Sequence, residues 1–549
     1  MKKREIYKEK KYYPDQERAD SKPIFEPAHW KLYLILVLVT TALYFRSLFF
    51  DFVYLDDNSL ILENIDFLKN FNNLPQAFLK DVFQADHGLA AYYRPLLTIS
   101  FMLDAFWGGV EPFIYHFSNI SIHLMAIFLV FKLIYKLGYS WRVAFFLATI
   151  FAVHPVLTQA VSWVPGRNDS LLTVFVLGAF IFFLNYFREQ KIISLLTSFL
   201  FFALAVFTKE SALLFPLFCL MYLWMRKAIS WKKVIVWMAG WVPIIGLWFY
   251  FRGLAFAENP MPFALADIFW SVWKNSPAFV QMLGKVFFPF NLSVLPNIPD
   301  TVFWWGLLSI AILLGAIFWE YKIGSFSRRR SLMFLFGFFW FGAFLAPSFV
   351  RPDPNVIADF IEHRLYLPII GILVILAESD LVGGLVDRIK FKQYIFLLVG
   401  ISFFFGLISF FHQKNFSDRM TFWLNASLNS PSSPLAQRNL GAMYHLDKKY
   451  DLAEEYYKKA IKINDLEPMV HANLGLIYAS RGSFGPAERE YLKEISFNPG
   501  YDNAHFNLGL LYFGMKKYDL ATEEWQKTLK INPDYVDAQE GLEVLKNSR

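Results

Sequence analysis

The chain has 549 residues, 56% of them hydrophobic and 19% aromatic, including 62 phenylalanines, with a formal net charge of +7. This composition excludes an ordinary soluble enzyme, and the repeated apolar runs point to a polytopic α-helical membrane protein. The basic excess is gathered in the first residues (Lys2, Lys3, Arg4, Lys8, Lys10, Lys11) and in short loops such as 226–233 and Arg328-Arg329-Arg330. That is the positive-inside pattern, and it implies no nucleic acid. The single cysteine, Cys219, excludes an intrachain disulfide.

In chain order, a basic tail over 1–29 is expected to be cytoplasmic. It leads into an apolar run over 30–50 that reads as a retained signal anchor. Directly after it comes Asp51-Phe-Val-Tyr-Leu-Asp56-Asp57-Asn58. Two adjacent carboxylates where the chain leaves hydrocarbon are either solvated loop acids or a coupled catalytic pair. Further apolar runs at 114–137, 141–154, 170–187, 191–208, 211–225, 233–251, 303–321, 331–346, 364–377 and 391–411 bring the expected spans to about eleven. With an odd count the N-terminus is inside and the C-terminus outside, and the basic loops all fall inside. The external loops are then 51–113, 252–302 and 347–363, with the segment Ser271 to Phe290 read as interfacial.

Five polar clusters fall on the predicted outer face: the acidic loop, Tyr92-Tyr93-Arg94-Pro95, His154 to Asp169, Thr208-Lys209-Glu210 and Glu362-His363-Arg364. Each has a plain structural reading, such as a self-neutralising Lys209-Glu210 pair or Arg167 pinning a turn through Asp169. Ionisable residues near hydrocarbon are nevertheless costly and point to function.

The chain beyond 411 is charged and lacks an apolar run. Asn-Leu-Gly recurs at 439–441, 473–475 and 507–509, and Ala453, Ala487 and Ala521 keep the same period of 34. That period and pattern identify tetratricopeptide repeats, two antiparallel helices each. The half-repeat before them begins near Asn415, and the stretch Tyr535 to Lys546 suits a capping helix. The expected organisation is a tail (1–29), a membrane domain (30–411) and a repeat domain (412–549). The fold class is all-α: a polytopic helical membrane domain followed by an α-solenoid.

Together the motifs resemble the transmembrane and tetratricopeptide-repeat-containing (TMTC-type) members of the GT-C glycosyltransferase superfamily. They are Tyr54 to Asn64 with Asp56-Asp57, Tyr93-Arg94-Pro95-Leu96, Phe151-Ala-Val-His154-Pro155 and Gly166-Arg167-Asn168-Asp169. Lys209-Glu210, Asn259-Pro260, Phe288-Pro289 and Glu362-His363-Arg364-Leu-Tyr366 complete the set. Gln159 stands where those proteins usually carry glutamate, which weakens an acid/base role there. The resemblance implies a polyprenyl-phosphate-linked sugar donor, mannose in eukaryotic members. It also places the catalytic acid/base in the first external loop, at Asp56 or Asp57.

Chemistry asks for the same parts. Transfer needs a base near the acceptor hydroxyl and cations where phosphate charge develops. Arg94, His154, Arg167, Lys209 and Arg364 are the candidate phosphate ligands, arginine being suited to a bidentate grip. Asp169, Glu210 and Glu362 are expected to support them. Alternatively Asp56 and Asp57 hold a divalent cation, Mg or Mn, against the phosphate. The expected acceptor is a protein hydroxyl received by the repeats. Transfer to a lipid or cell-envelope glycan, a non-enzymatic repeat scaffold, and an O-antigen ligase or polymerase are the competing readings.

Overall fold

A computed structural model describes residues 29–83, 92–227, 230–256, 265–350 and 359–547. The basic tail over 1–28, the Asn259-Pro260 motif and residues 351–358 of the 347–363 loop lie outside the described residues. The described chain forms two compact units, 1–421 and 422–549.

Helices of ten residues or more are numbered in chain order. In the first unit these are α1 Trp30–Tyr44, α2 Pro95–Gly108, α3 Pro112–Lys136, α4 Trp141–Val153, α5 Arg167–Glu189, α6 Ile192–Thr208 and α7 Phe215–Met225. They continue with α8 Trp231–Ala255, α9 Leu265–Asn275, α10 Pro277–Phe287, α11 Trp304–Lys322, α12 Arg328–Leu345, α13 Ile369–Glu378 and α14 Phe391–His412, while α15 Arg419–Asn429 starts in the first unit and falls mostly in the second. Every predicted span is helical. By length and apolarity, however, only seven could cross a membrane alone. Two more qualify as bent pairs, Trp141–Val153 with Pro155–Ser162 (54°) and Ile369–Glu378 with Asp380–Arg388 (60°). The expectation of eleven is therefore corrected to seven to nine among the described residues. Ile192–Thr208 and Glu210–Met225 fall short of the roughly 20 residues a bilayer core requires.

The span containing α5 is the hub, with 78% of its apolar window buried, whereas the windows containing α8 and α14 are 17% buried. Exposed rims carrying Phe249, Phe396 and Phe403 suit a lipid solvent, which rewards no burial of such side chains. Helices α12 and α13 cross where Gly337 and Gly371 meet. A Cβ on Gly371 would lie 2.2 Å from the Gly337 carbonyl oxygen, so only glycine permits the contact. The segment expected to be interfacial falls on α9 and α10, neither of which is among the candidate spans, and α10 buries Gln281 and Lys285.

The second unit stacks helix pairs: α16 Pro434–Leu446 with α17 Tyr450–Ile463, α18 Val470–Ser480 with α19 Phe484–Phe497, and α20 Asp502–Gly514 with α21 Tyr518–Ile531. The closing helix is α22 Val536–Asn547. The recurring Asn-Leu-Gly has a packing reason. Gly441, Gly475 and Gly509 lie under the rings of Tyr457, Tyr491 and Trp525, within 3 Å of where a Cβ would stand. The buried stripe Leu440, Leu474 and Leu508 completes each pair.

Candidate active site

After α1 a 3-10 turn over Phe45–Phe49 leads through a short loop to a π-turn at Asn58–Leu62, on whose threshold Asp56 and Asp57 sit. Phe52, Leu60 and Ile61 fix this loop in an apolar cluster with Tyr115 and Val164, which forces the polar residues between them into a nearly dry setting. Asp57 is 1% exposed, and its Oδ2 accepts from the Trp163 indole N–H at 3.2 Å. Burial pushes Asp57 up to about 7, against that indole bond and with the Asp56 charge adding to the rise. Asp56 is raised to about 6 by burial and by the Asp359 charge, with Arg94 and Arg364 opposing. The two acids and the two arginines therefore share one field.

Arg94 caps the start of α2, stacks on the Tyr92 ring at 4.4 Å and reaches Glu210 at 3.6 Å. With its amide turned to suit its neighbours, Asn168 presents its oxygen to Arg94 Nη1 at 3.1 Å. Lys209 Nζ donates to both oxygens of Asp169, at 2.9 and 2.8 Å. Burial lowers the Lys209 pKa, with Asp169 opposing. The Glu210 carboxyl, which burial alone would raise, is held low by Arg94 and Lys209. Arg364 donates to the Asp359 carbonyl at 3.0 Å. One polar network thus collects Asp56, Asp57, Arg94, Asp169, Lys209, Glu210 and Arg364.

Three expected site residues are not in it. Arg167 is fully buried, and each of its nitrogens is occupied: Nε donates to Asn119 at 2.7 Å, Nη1 to Asp104, and Nη2 to the Tyr115 carbonyl at 2.7 Å. Fully buried and with all three nitrogens engaged, it forms an ion pair joining α5 to α2 and α3. His154 Nε2 bonds the Val286 carbonyl at 2.9 Å and Nδ1 accepts from Val156 at 3.3 Å, so the imidazole braces the bend after α4. Glu362 belongs to a second buried cluster, taking Lys285 at 2.7 Å and the Ser293 amide at 3.0 Å on Oε1, with His412 3.2 Å from Oε2.

Three residues of these sequence clusters to which no site role was assigned also join the network: Trp163, His363 and Gln159. Trp163 links the network through its bond to Asp57 and its ring, 5.4 Å from that of His363. His363 Nε2 lies 3.5 Å from Asp169, and burial followed by the Arg364 and Lys209 charges keeps the imidazole neutral. Gln159 accepts from the His363 amide and donates to the Val294 carbonyl, a brace that glutamate could not supply as donor. Around the network three buried polar atoms have no protein partner: Asp57 Oδ1, Arg94 Nε and His363 Nδ1. Other buried polar atoms without a protein partner are scattered through the described residues, Tyr44, Trp241 and Tyr457 among them.

Fold and site define a helical protein with candidate membrane spans, a largely buried charged network and a repeat array. A Tetratricopeptide repeat family model matches residues 434–465 and 503–535. The chain is 34% identical over 164 residues to human Protein O-mannosyl-transferase TMTC3, a match covering 28% of this chain and 17% of that protein. It is 32% identical over 180 residues to Drosophila melanogaster Protein O-mannosyl-transferase Tmtc1, covering 32% and 21%. The matched region spans about a fifth of the length of these curated relatives. A solved structure, the first TPR of Spaghetti (RPAP3) bound to HSP90 peptide SRMEEVD, aligns over 21% of this chain and 91% of its own. That alignment has 23% identity and a TM-score of 0.21. The chain is thus related in sequence to the TMTC-type proteins its motifs resemble.

Proposed function

We propose that the chain is a membrane glycosyltransferase that moves a hexose, mannose by its relatives' names, from a polyprenyl-phosphate donor to an acceptor hydroxyl, most simply on a protein. The observation that carries this reading is the set of unpartnered buried atoms, Asp57 Oδ1, Arg94 Nε and His363 Nδ1, around the raised acid pair. A membrane-anchored scaffold has no use for them.

In the proposed step the acceptor oxygen bonds to the anomeric carbon as the bond from that carbon to the phosphate oxygen breaks. The electron pair leaves with the phosphate, and the hydroxyl proton passes to Asp56 or Asp57. Carboxyls raised toward neutrality are matched to this task, since a base works best near the operating pH. Arg94 and Arg364 are the assigned phosphate ligands, because their protein partners leave donors unsaturated or loosely held. Lys209, tied bidentately to Asp169, sets the field rather than gripping phosphate. An apolar cavity of about 320 Å³ walled by Phe146, Ile150, Leu373 and Phe405 has the chemistry a polyprenyl tail requires.

Among the described residues no group of three or more His, Cys, Asp or Glu side chains is arranged to hold a metal. A Mg or Mn ion on Asp56 and Asp57 would therefore draw its remaining ligands from phosphate and water. The test is incubation of the purified chain with radiolabelled polyprenyl-phosphate sugars, scoring whether protein, lipid or glycan becomes labelled. Activity lost to a chelator and restored by Mg²⁺ or Mn²⁺ brings in the metal. Label in a lipid or envelope-glycan fraction alone replaces the protein acceptor, and no label with any donor removes the reading.

A further inference from the structure

The chain that follows the last span makes contacts the proposed chemistry does not use. Asn415 Nδ2 lies 3.2 Å from His412 Nδ1. An amide nitrogen only donates, so Nδ1 accepts and the ring's proton on Nε2 faces Glu362. Gln413 Nε2 donates to the Leu43 carbonyl in α1 at 2.9 Å. Further on, the Ser417 carbonyl accepts from the amide of Asp51, the first residue of the acidic loop, at 2.9 Å. The Arg419 guanidinium lies over the Tyr54 ring, 5.3 Å from its centroid. Ser417 and Arg419 thus stitch the connector onto the loop that carries Asp56 and Asp57, and Gln413 ties it to α1.

The loop is strained where it is stitched. Tyr54 has φ +60°, the left-handed region that an aromatic side chain rarely adopts. Such a residue costs roughly 1–3 kcal/mol and persists only where its surroundings over-determine it. The surroundings here come from both sides. Asp51 Oδ1 accepts the Phe52 amide at 2.8 Å, and Ser417 and Arg419 hold the loop from the connector. The connector itself is rigid, since Asp418 caps α15 by accepting from the Thr421 amide at 2.9 Å, with the Ser417 and Thr421 hydroxyls on its other oxygen at 2.7 Å. Arg419 is therefore presented from a fixed helix start.

We infer that Ser417 and Arg419 are positioning residues for the acid pair: they hold Asp51 to Tyr54 in the left-handed turn that delivers Asp56 and Asp57 to the site. This rests on the reading of that pair as the base. Tyr54 stands two residues from Asp56, so relaxing it would swing the carboxylates by the ångström or so that costs catalysis dearly. It follows that turnover is sensitive to a residue that opens the first helix beyond the membrane unit's last span.

The test uses the full chain and the radiolabelled polyprenyl-phosphate sugar it turns over. Arg419→Ala is expected to lower kcat about tenfold with little change in donor KM, the signature of lost positioning rather than lost binding. The acid limb of its pH profile should move to lower pH, because a loosened loop admits water to the carboxylates. Arg419→Lys should retain part of the ring contact and part of the rate, and Tyr54→Phe should match the parent. Arg419→Ala with Tyr54→Ala should be no worse than the single change, as for two ends of one contact. Amide exchange over 51–57, which needs no turnover, should quicken in Arg419→Ala. Unchanged exchange, or a reduced kcat with an unmoved acid limb and no rescue by lysine, overturns the inference. If Asp56→Asn and Asp57→Asn both keep full activity, the base assignment fails instead, whatever Arg419 does.

Discussion

In the repeat array, many charges pair at the surface, several of them along one helix. Lys458 meets Glu454 at 2.6 Å and Lys459 meets Glu455 at 2.7 Å, each four residues apart, and Arg481 reaches Asp451 and Glu454 on the neighbouring repeat. In the membrane unit, the pairs are buried and their partners far apart in sequence: Arg167 with Asp104, Lys209 with Asp169, Lys285 with Glu362. The first kind contributes at most about 1 kcal/mol per pair, since solvent screens it. The second offsets a large desolvation cost, and losing one partner leaves a buried charge uncompensated. Charge in the array decorates a fold that leucines, alanines and aromatic rings already hold. In the membrane unit it decides how helices pack and where chemistry can occur.

The sharpest way to break this contrast is to remove one buried partner. Arg167→Leu should cost roughly 3–5 kcal/mol, because Asp104 is left charged in a dry interior. A thermal melt in detergent against the parent reads it. Arg481→Ala in the array should stay within about 1 kcal/mol in the same assay. Equal losses would dissolve the distinction.

Next in size is the acid pair. Asp56→Asn and Asp57→Asn keep the side-chain volume, and at least one should lose ~10²-fold or more in turnover at unchanged melting temperature. Both carboxyls are raised, to about 6 and about 7, so the base is protonated in acid. Rate should therefore rise with pH through an apparent value in that region, belonging to the pair and not to one residue. A pH-independent kcat between 5 and 8 would count against either aspartate as base.

Two arginines that look alike in sequence sharpen the point further. Arg94 retains an unpartnered buried Nε whereas Arg167 has none. Arg94→Ala should raise donor KM about tenfold and leave the melting temperature nearly unchanged, the reverse of Arg167→Leu. If Arg94→Ala instead unfolds the protein, it too is structural and the phosphate assignment passes to Arg364 alone.

What was legible in the sequence follows the same line. Each repeat is held by contacts within about 34 residues, so Gly475 under Tyr491 and Gly509 under Trp525 leave a period that composition alone displays. The apolar runs likewise marked their helices, because hydrocarbon imposes length locally. The site could be read as clusters but not as an assembly. Nothing near Arg167 announces Asp104, which is 63 residues away, and nothing near Glu362 announces Lys285. His154 looked like a ligand because its neighbours are apolar. That same apolarity is why both its nitrogens are committed to backbone groups. An indole carries no charge to announce it, yet among the described residues the Trp163 N–H supplies the side-chain bond to Asp57.

The smallest expected effect lies in the array, at the buried imidazole of His471. His471 Nδ1 is 2.5 Å from Glu490 Oε2, and Nε2 is 3.0 Å from the Asp465 carbonyl, with the Asp465 and Lys493 side chains nearby. Both ring nitrogens face acceptors, so the imidazole must donate twice and carry a proton. Burial opposes that charge, but Glu490 prevails and the His471 pKa is raised. A group whose pKa is higher folded than unfolded lends stability that is complete below its unfolded value and fades as pH climbs through its folded one. A soluble fragment spanning 415–547 should therefore melt lower at pH 9 than at pH 6, by the equivalent of about 1 kcal/mol or less. The chain suggests its own control. Gln437 and Gln539 occupy the same repeat position and keep the bond to the carbonyl six residues back without any titratable group. His471→Gln should keep that brace and lose part of the pH dependence. A variant whose melting temperature falls between pH 6 and 9 as steeply as the parent's would show that the charge on His471 contributes nothing.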